Sequence, residues 1–185
     1  MEVSIIVLAT QRKFSPSRAS RRWRRWAASG LCGGLALAGI ATAQAAWTPI
    51  IQPDPITRQS RCLLISEPAI TPDGYDSTSV QLVFNGDHLL VVTDSEIDAS
   101  FTDLQLLVDD KPPIRGDQLA RKKMILVIDQ DIPDLVQQLR AGRQVTVYLR
   151  FWPTWPATER FAIPFSLVGF SRAHDGFNQG CRPVN

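Results

Sequence analysis

The alternation of apolar and polar residues along this chain predicts a protein built mostly of short β-strands. Residues 80–84 alternate in this way just before Asn85-Gly86, and the apolar run 89–92 follows shortly after. Two strand-like runs on either side of Asn-Gly predict a β-hairpin, because both residues tolerate the positive φ of a type I′ turn. Residues 80–93 are therefore predicted to form two paired antiparallel strands.

Further segments have the same strand-like character. Residues 104–108 and 145–151 place apolar side chains at every second position, which predicts strands with one buried face. Residues 123–128, KMILVI, are apolar on both faces, which is typical of a buried central strand. Residues 61–66 and 161–165 are shorter strand candidates near the two ends of the domain.

Residues 131–142 have the spacing of an amphipathic helix. Asp131 and Pro133 stand where a helix cap and a first turn favour them, and Gly142 stands where a left-handed residue ends many helices. A second short helix is predicted after Gly169-Phe170. Many strands, short connections and few helices indicate a mainly β fold, an antiparallel β-sandwich with one or two short helices.

The first 45 residues differ in composition from the rest of the chain. They hold 7 of the 20 Lys and Arg residues and a single acid, and the apolar run 31–43 follows the basic segment. The run ends in Ala43-Gln44-Ala45, a small-x-small cleavage pattern, so residues 1–45 are predicted to be a secretory signal peptide cut near Ala45. The alternative is an uncleaved anchor, although the run is short for a membrane span. We expect a periplasmic or secreted protein with no transmembrane segment in its mature chain.

Removing this leader reverses the charge of the chain. The whole sequence has a net charge of +2, whereas residues 46–185 hold 13 basic and 17 acidic residues, a net charge of −4. Nucleic-acid binding is therefore not predicted, because it needs a basic surface on the folded domain. The remaining chain divides into a Pro-rich extended lead-in, residues 46–59, and a single β-sandwich domain, residues 60–185.

Two cysteines remain after the leader, Cys62 and Cys181. In an exported chain such a pair predicts a disulfide, and two free thiols are the alternative. Neither cysteine has a His or another Cys at metal-binding spacing, so no metal site is predicted. No phosphate-binding glycine loop is present either, and we predict no cofactor.

The sequence FWPTWP, residues 151–156, is the strongest candidate for a binding surface. Trp152 and Trp155 stand among prolines at a predicted turn, where two large, stiff indoles are suited to stack on a sugar or on an apolar partner. The alternative is that one or both indoles fold back over the end of the sandwich. The expected partner is a protein or a glycan of unknown identity.

The sequence contains residue types suited to catalysis, but their spacing does not match a known catalytic motif. Ser171, His174 and Asp175 have the residue types of a hydrolase triad, but His174 and Asp175 are adjacent and point to different sides of a helix. No Gly-x-Ser-x-Gly nucleophile elbow is present. We therefore predict no catalytic residue.

The segment from Asp94 to Asp103 is an acidic connection. Asp94, Glu96 and Asp98 have the spacing that begins a calcium loop, but Ala99 stands where that loop needs glycine. A solvated link is the expected role, and a weak calcium site of another kind is the alternative. The same three acids are the basis of a second functional hypothesis, a periplasmic hydrolase or lyase.

The order of these elements resembles the invasion-associated locus B family of exported proteobacterial proteins. The resemblance rests on the strand Leu104–Asp109, on the helix ending Leu139–Gly142, and above all on residues 164–173, PFSLVGFSRA. Trp47 and Cys62 match the Trp and Cys near the mature start of that family. The resemblance implies a β-sandwich and no particular chemistry.

This chain departs from the family in one segment. Family members carry further cysteines between the Leu-x-Leu-x-Val-Asp strand and the helix, whereas residues 117–123 contain none.

The first functional hypothesis is a non-enzymatic envelope protein that binds a protein or a glycan. The other hypotheses are the hydrolase or lyase and a structural or stress-resistance module.

Overall fold

Two antiparallel sheets enclose one apolar core, which confirms the predicted mainly β sandwich with two short helices. The computed structural model describes residues 46–153 and 159–181. Within them the elements are β1 (Trp47–Pro53), β2 (Ser60–Ser66), β3 (Ala69–Pro72), β4 (Ser77–Phe84), β5 (Leu89–Thr93), β6 (Gln105–Val108), β7 (Ile114–Arg115), β8 (Gln118–Ala120), β9 (Ile125–Ile128), α1 (Ile132–Ala141), β10 (Gln144–Leu149), β11 (Phe161–Ser166) and α2 (Phe170–Asn178).

The larger sheet has the strand order β1-β2-β4-β5-β9-β8, with β3 also paired to β4, and the smaller sheet has the order β11-β10-β6-β7. Apolar side chains from both sheets meet between them, among them Leu82, Leu89 and Leu126 from one sheet and Leu106 and Val147 from the other. This inward set follows the period-2 alternation of each strand, which separates a core face from an outer face.

Strand β9 is buried along its whole length, as its apolar pattern predicts. Leu126 and Ile128 point into the main core, and Ile125 and Val127 belong to a second cluster with Leu63 from β2. Within the described residues, neither helix has the length and apolar character needed to span a bilayer.

The hairpin of β4 and β5 is confirmed, but its turn is not the expected type I′ turn. Phe84 faces Leu89, so four residues connect the strands rather than two. Gly86 has a positive φ of 100° and Asn85 does not. Asn85 acts through its side chain instead, because its Oδ1 accepts hydrogen bonds from the backbone N–H groups of Asp87 and His88 at 3.0 and 2.8 Å.

The helix predicted over residues 131–142 is confirmed as α1, with two corrections at its ends. Asp131 is the N-cap residue but its side chain makes no capping hydrogen bond. Gly142 is extended, with φ −80° and ψ 171°, so it is not a left-handed stop. Glycine is needed there for space, since a Cβ would lie 2.7 Å from Cγ1 of Val108 and 3.0 Å from the carbonyl oxygen of Gln138.

The lead-in expected over residues 46–59 contains the edge strand β1, which pairs with β2 over its full length. The turn that follows is organised by Asp54, which is fully buried. Its Oδ1 accepts hydrogen bonds from the N–H groups of Ile56 and Thr57, and its Oδ2 accepts one from Asn85. Burial opposes ionisation of this carboxyl, but these hydrogen bonds outweigh it and lower the pKa of Asp54.

Helix α2 packs beside β1. Trp47 and Phe170 are both buried, and their rings meet edge to face with centroids 4.9 Å apart. The indole N–H of Trp47 donates a hydrogen bond to the carbonyl oxygen of Ser166 at 2.8 Å. A disulfide joins Cys62 in β2 to Cys181 just after α2, with Cα atoms 5.5 Å apart. The predicted disulfide is therefore present, and it ties the second strand to the last helix.

Candidate functional site

Trp152 is held outward at the end of the sandwich opposite α2. The segment from Glu96 to Asp98 runs antiparallel to the residues that follow β10, with Ile97 bridged to Phe151. The N–H of Trp152 donates to the carbonyl oxygen of Glu96 at 2.8 Å, and Ile97 and Phe151 are buried. Because side chains alternate along an extended segment, burying Phe151 turns the indole of Trp152 toward solvent, where it is 56% exposed.

The predicted patch contained two tryptophans, and the structure describes one of them. Trp152 faces outward rather than folding back over the core. Trp155 lies outside the described residues. The site is therefore built around Trp152 and the loops that surround it.

A first hollow, of about 460 Å³, lies beside Trp152. Its lining includes Glu96, Asp98, Ser100 and Lys123. The Lys123 ammonium lies 3.0 Å from Oε1 of Glu96, and Oδ1 of the buried Asp98 accepts the N–H of Ser100 at 2.8 Å. Charged and polar groups thus surround one large apolar ring.

A second hollow, of about 450 Å³, adjoins the first, and Ala99 lines both. Its lining includes Phe101, Arg115, Asp117 and Gln130. Phe101 is 37% exposed, so each hollow contains one exposed aromatic side chain. We call the two hollows together the Trp152–Phe101 groove.

Arg150 fixes the position of Phe101. Its guanidinium carbon lies 4.5 Å from the centre of the Phe101 ring, and its Nε and Nη2 donate to the carboxylate of Asp103 at distances down to 2.7 Å. Hydrogen bonds from Arg150 lower the pKa of Asp103 against its burial, and the charges of Arg150 and Arg160 lower it further. This bidentate pair keeps the loop that carries Phe101 in place.

Gly116 forms part of the floor of the second hollow. Its N–H donates to the carbonyl oxygen of Leu104 at 3.2 Å. A Cβ at this position would lie 2.6 Å from Cδ1 of Ile128 and 2.9 Å from Cδ1 of Leu126. The backbone at Gly116 therefore packs closely on the side chains of β9, which a Cβ here would have to displace.

The residues considered for catalysis do not form a triad. The single hydroxyl proton of Ser171 is donated to the carbonyl oxygen of Arg140 at 3.0 Å. Nδ1 of His174 lies 3.0 Å from Nη1 of Arg140, and the same Nη1 donates to Asp175 at 2.7 Å. Ser171, His174 and Asp175 thus all contact Arg140, and they link α2 to the end of α1.

The three acids of the hydrolase hypothesis, Asp94, Glu96 and Asp98, do not all line the same hollow. Glu96 and Asp98 line the first hollow, whereas Asp94 is not among its lining residues. Glu96 is paired with Lys123, and Asp98 supports the loop backbone. In the part of the chain that the structure describes, no three His, Cys, Asp or Glu side chains group as metal ligands.

The fold has a counterpart among solved structures. The crystal structure of invasion associated protein B from Bartonella henselae matches 73% of this chain and 93% of its own, with a TM-score of 0.51 and 20% sequence identity. This chain has the invasion-associated protein B fold. The fold that the sequence resemblance implied is therefore confirmed. No protein-family model matches the chain, and no curated protein matches its sequence.

Sequence reasoning did not find Phe101, Lys123 or Arg115 as site residues. Phe101 is the one aromatic residue in the acidic connection 94–103, and that isolated position is the sequence signal that singles it out. Lys123 comes from the turn before β9 and Arg115 from β7, and only the packing of the invasion-associated protein B fold brings them beside Trp152 and Phe101.

Proposed function

We propose that this chain is an exported cell-envelope protein that binds a partner rather than transforming a substrate. The observation that carries the proposal is Trp152, whose indole is 56% exposed although its backbone is hydrogen-bonded in place. Exposed apolar surface is costly in water, so a large ring held outward on a fixed backbone is typical of a binding anchor.

Two features support export. Residues 1–45 have the basic segment, apolar run and small-x-small ending of a signal peptide. The disulfide between Cys62 and Cys181 is of a kind that persists in oxidising compartments. If the full-length gene is expressed in a Gram-negative host, mass spectrometry of the envelope-fraction protein should find Ala46 as its first residue. A protein that retains its first 45 residues in the cytoplasm would contradict export.

The acids near Trp152 support a binding role over the hydrolase or lyase hypothesis. General acid–base chemistry needs carboxyl groups that reach the reacting atoms of a substrate. Here Glu96 forms an ion pair with Lys123, and Asp98 is buried and hydrogen-bonded to its own loop. Both carboxylates already support the wall of the hollow.

A site-specific photo-crosslinking experiment tests the binding surface. A photo-reactive amino acid replaces Trp152 in one variant and Val168 in a control. Val168 is a suitable control because it is 54% exposed and follows β11 at the far end of the small sheet. Irradiation of cells should give a discrete adduct from position 152 and none from position 168. Identical patterns from both positions, or no adduct from either, would contradict a binding role for this surface.

A further inference from the structure

The two adjoining hollows of the Trp152–Phe101 groove carry the chemistry of a sugar-binding site. We propose that they are neighbouring subsites for a neutral oligosaccharide. This inference rests on the proposed binding function and names the ligand class of the same site.

The two exposed rings provide the first argument. A pyranose ring presents a flat face of C–H groups, and that face stacks on an aromatic side chain while the hydroxyls remain at the ring edge. Trp152 stands in one hollow and Phe101 in the other, and Ala99 lines both. One aromatic ring per hollow therefore suits one sugar ring per hollow.

Polar side chains around each ring provide the second argument. Glu96, Ser100 and Lys123 line the hollow of Trp152, and Arg115, Asp117 and Gln130 line the hollow of Phe101. Sugar hydroxyls both donate and accept hydrogen bonds, so they need both kinds of partner at the ring edge. Each hollow offers carboxylate acceptors together with ammonium or guanidinium donors.

The charged side chains of the groove provide the third argument, and they disfavour an anionic ligand. Lys123 lies 3.0 Å from Glu96, so their charges offset each other in the first hollow, and Asp98 adds a second carboxyl group to its wall. Arg115 and Asp117 carry opposite charges in the second. A polyanion such as nucleic acid needs an excess of positive charge, which this groove does not offer. A groove with exposed rings and no excess of positive charge fits an uncharged, hydroxyl-rich chain.

Size and stiffness provide the fourth argument. The hollows have volumes of about 460 and 450 Å³, within the range of small-molecule sites. Their walls are fixed by the Arg150–Asp103 pair and by Gly116 against β9. A preformed groove loses little conformational freedom when it binds, which helps to offset the cost of ordering a flexible ligand such as a glycan.

Binding is tested by NMR on the protein purified after expression of the full-length chain. The probes are chitohexaose, cellohexaose and maltohexaose, with their monosaccharides and an anionic galacturonate hexamer. At least one neutral hexasaccharide should shift the indole N–H signal of Trp152, identified from Trp152→Phe. The indole signal of the buried Trp47 should stay unchanged and serves as the internal control.

Affinity measurements on variants then separate this site from others. Trp152→Ala and Phe101→Leu should each raise the Kd for the hexasaccharide by about tenfold or more, as expected for a central contact. Val168→Ala should leave the Kd unchanged, and the monosaccharide should bind about tenfold or more weakly because it fills one subsite. Circular dichroism checks that each variant is folded.

The outcomes distinguish the two proposals. If no neutral hexasaccharide shifts the Trp152 signal, or only the anionic hexamer does, the glycan inference is wrong. If position 152 then still crosslinks to a protein in cells, the binding function stands and its ligand is a protein. If position 152 gives neither a crosslink nor a sugar-induced shift, both proposals are overturned.

Discussion

Beside α2 the aromatic rings pack on one another, and at the opposite end of β5 and β10 they face solvent. Trp47 and Phe170 are 2% and 0% exposed, whereas Trp152 and Phe101 are 56% and 37% exposed. Trp47, Phe170 and Trp152 stand on hydrogen-bonded backbone and the Phe101 ring is held by Arg150, so order does not distinguish the two ends. What differs is how far the described residues cover each ring, and that difference separates a stabilising end from an end available to a partner.

The covalent and ionic links follow the same division. The disulfide of Cys62 and Cys181 joins β2 to the segment after α2, at the same end of the molecule as the buried rings. At the other end, Arg150 and Asp103 hold a loop in position without covering its aromatic residue. The first arrangement adds stability to the fold, and the second keeps a surface preformed.

Loss of the disulfide should have the largest effect on stability. The bond closes a segment with a sequence separation of 119 residues. In the chain-entropy model a loop of this size contributes about 4–5 kcal/mol, because it restricts the unfolded chain. The double variant Cys62→Ala/Cys181→Ala should unfold at much lower guanidinium concentration than the oxidised protein. An unchanged midpoint would show that the α2 end is stable without its covalent link.

Truncating one aromatic ring at each end should give the next largest difference in the free energy of unfolding. Phe170→Ala should lower the free energy of unfolding by about 3–5 kcal/mol, because it leaves a cavity in the core. Trp152→Ala should change it by no more than about 0.5 kcal/mol, since the ring is on the surface. Guanidinium unfolding of both variants measures the contrast, and equal losses would remove the distinction between the two ends.

Gly116→Ala, at the end that carries the Trp152–Phe101 groove, should lower the free energy of unfolding by an intermediate amount. Its new Cβ would meet the buried side chains of Ile128 and Leu126 at 2.6 and 2.9 Å, and such overpacking costs about 1–3 kcal/mol. Asp117→Ala, one residue further along, is the matched control and should stay within about 0.5 kcal/mol. If the two variants unfold at the same denaturant concentration, the floor of the groove is not tightly packed.

His174, at the α2 end, should make the stability of the fold depend on pH, and this effect should be smaller than those of the substitutions above. Burial lowers the pKa of His174 below its usual 6.5, the charge of Arg140 lowers it further, and Asp175 opposes this in part. The unfolded chain therefore binds the proton more readily, so stability should fall as pH drops below about 6.5. His174→Gln should lose this slope between pH 7 and 5 in unfolding experiments. A slope that persists in the variant would place its origin elsewhere.

Much of the fold was predictable from local pattern. The alternation of residues 145–151 and the apolar run 123–128 each predicted a strand, and the structure has strands over Gln144–Leu149 and Ile125–Ile128, since such patterns are set by neighbouring residues. The ends of α1 were not predictable in detail. Gly142 is glycine because Val108 and Leu167 approach it from elsewhere in the chain, and no local sequence signal reports that approach.

The candidate site was predictable only in its tryptophan. FWPTWP identified Trp152 because an aromatic residue among prolines is unusual. The remainder of the groove is assembled from segments distant in sequence, and Lys123 and Arg115 are ordinary charged residues when seen alone. Their relation to Trp152 depends on how β9 and β10 are placed in the two sheets, which local periodicity does not determine.

The disulfide also changes what a protease can do to this protein. Because Cys62 and Cys181 are bonded, the backbone between them is a closed covalent ring. One cut anywhere in that ring opens it but releases nothing, since both new ends remain attached through the sulfur atoms. A fragment leaves only after a second cut. In an envelope that contains proteases, a nicked molecule would keep all of its strands and would still be able to present Trp152.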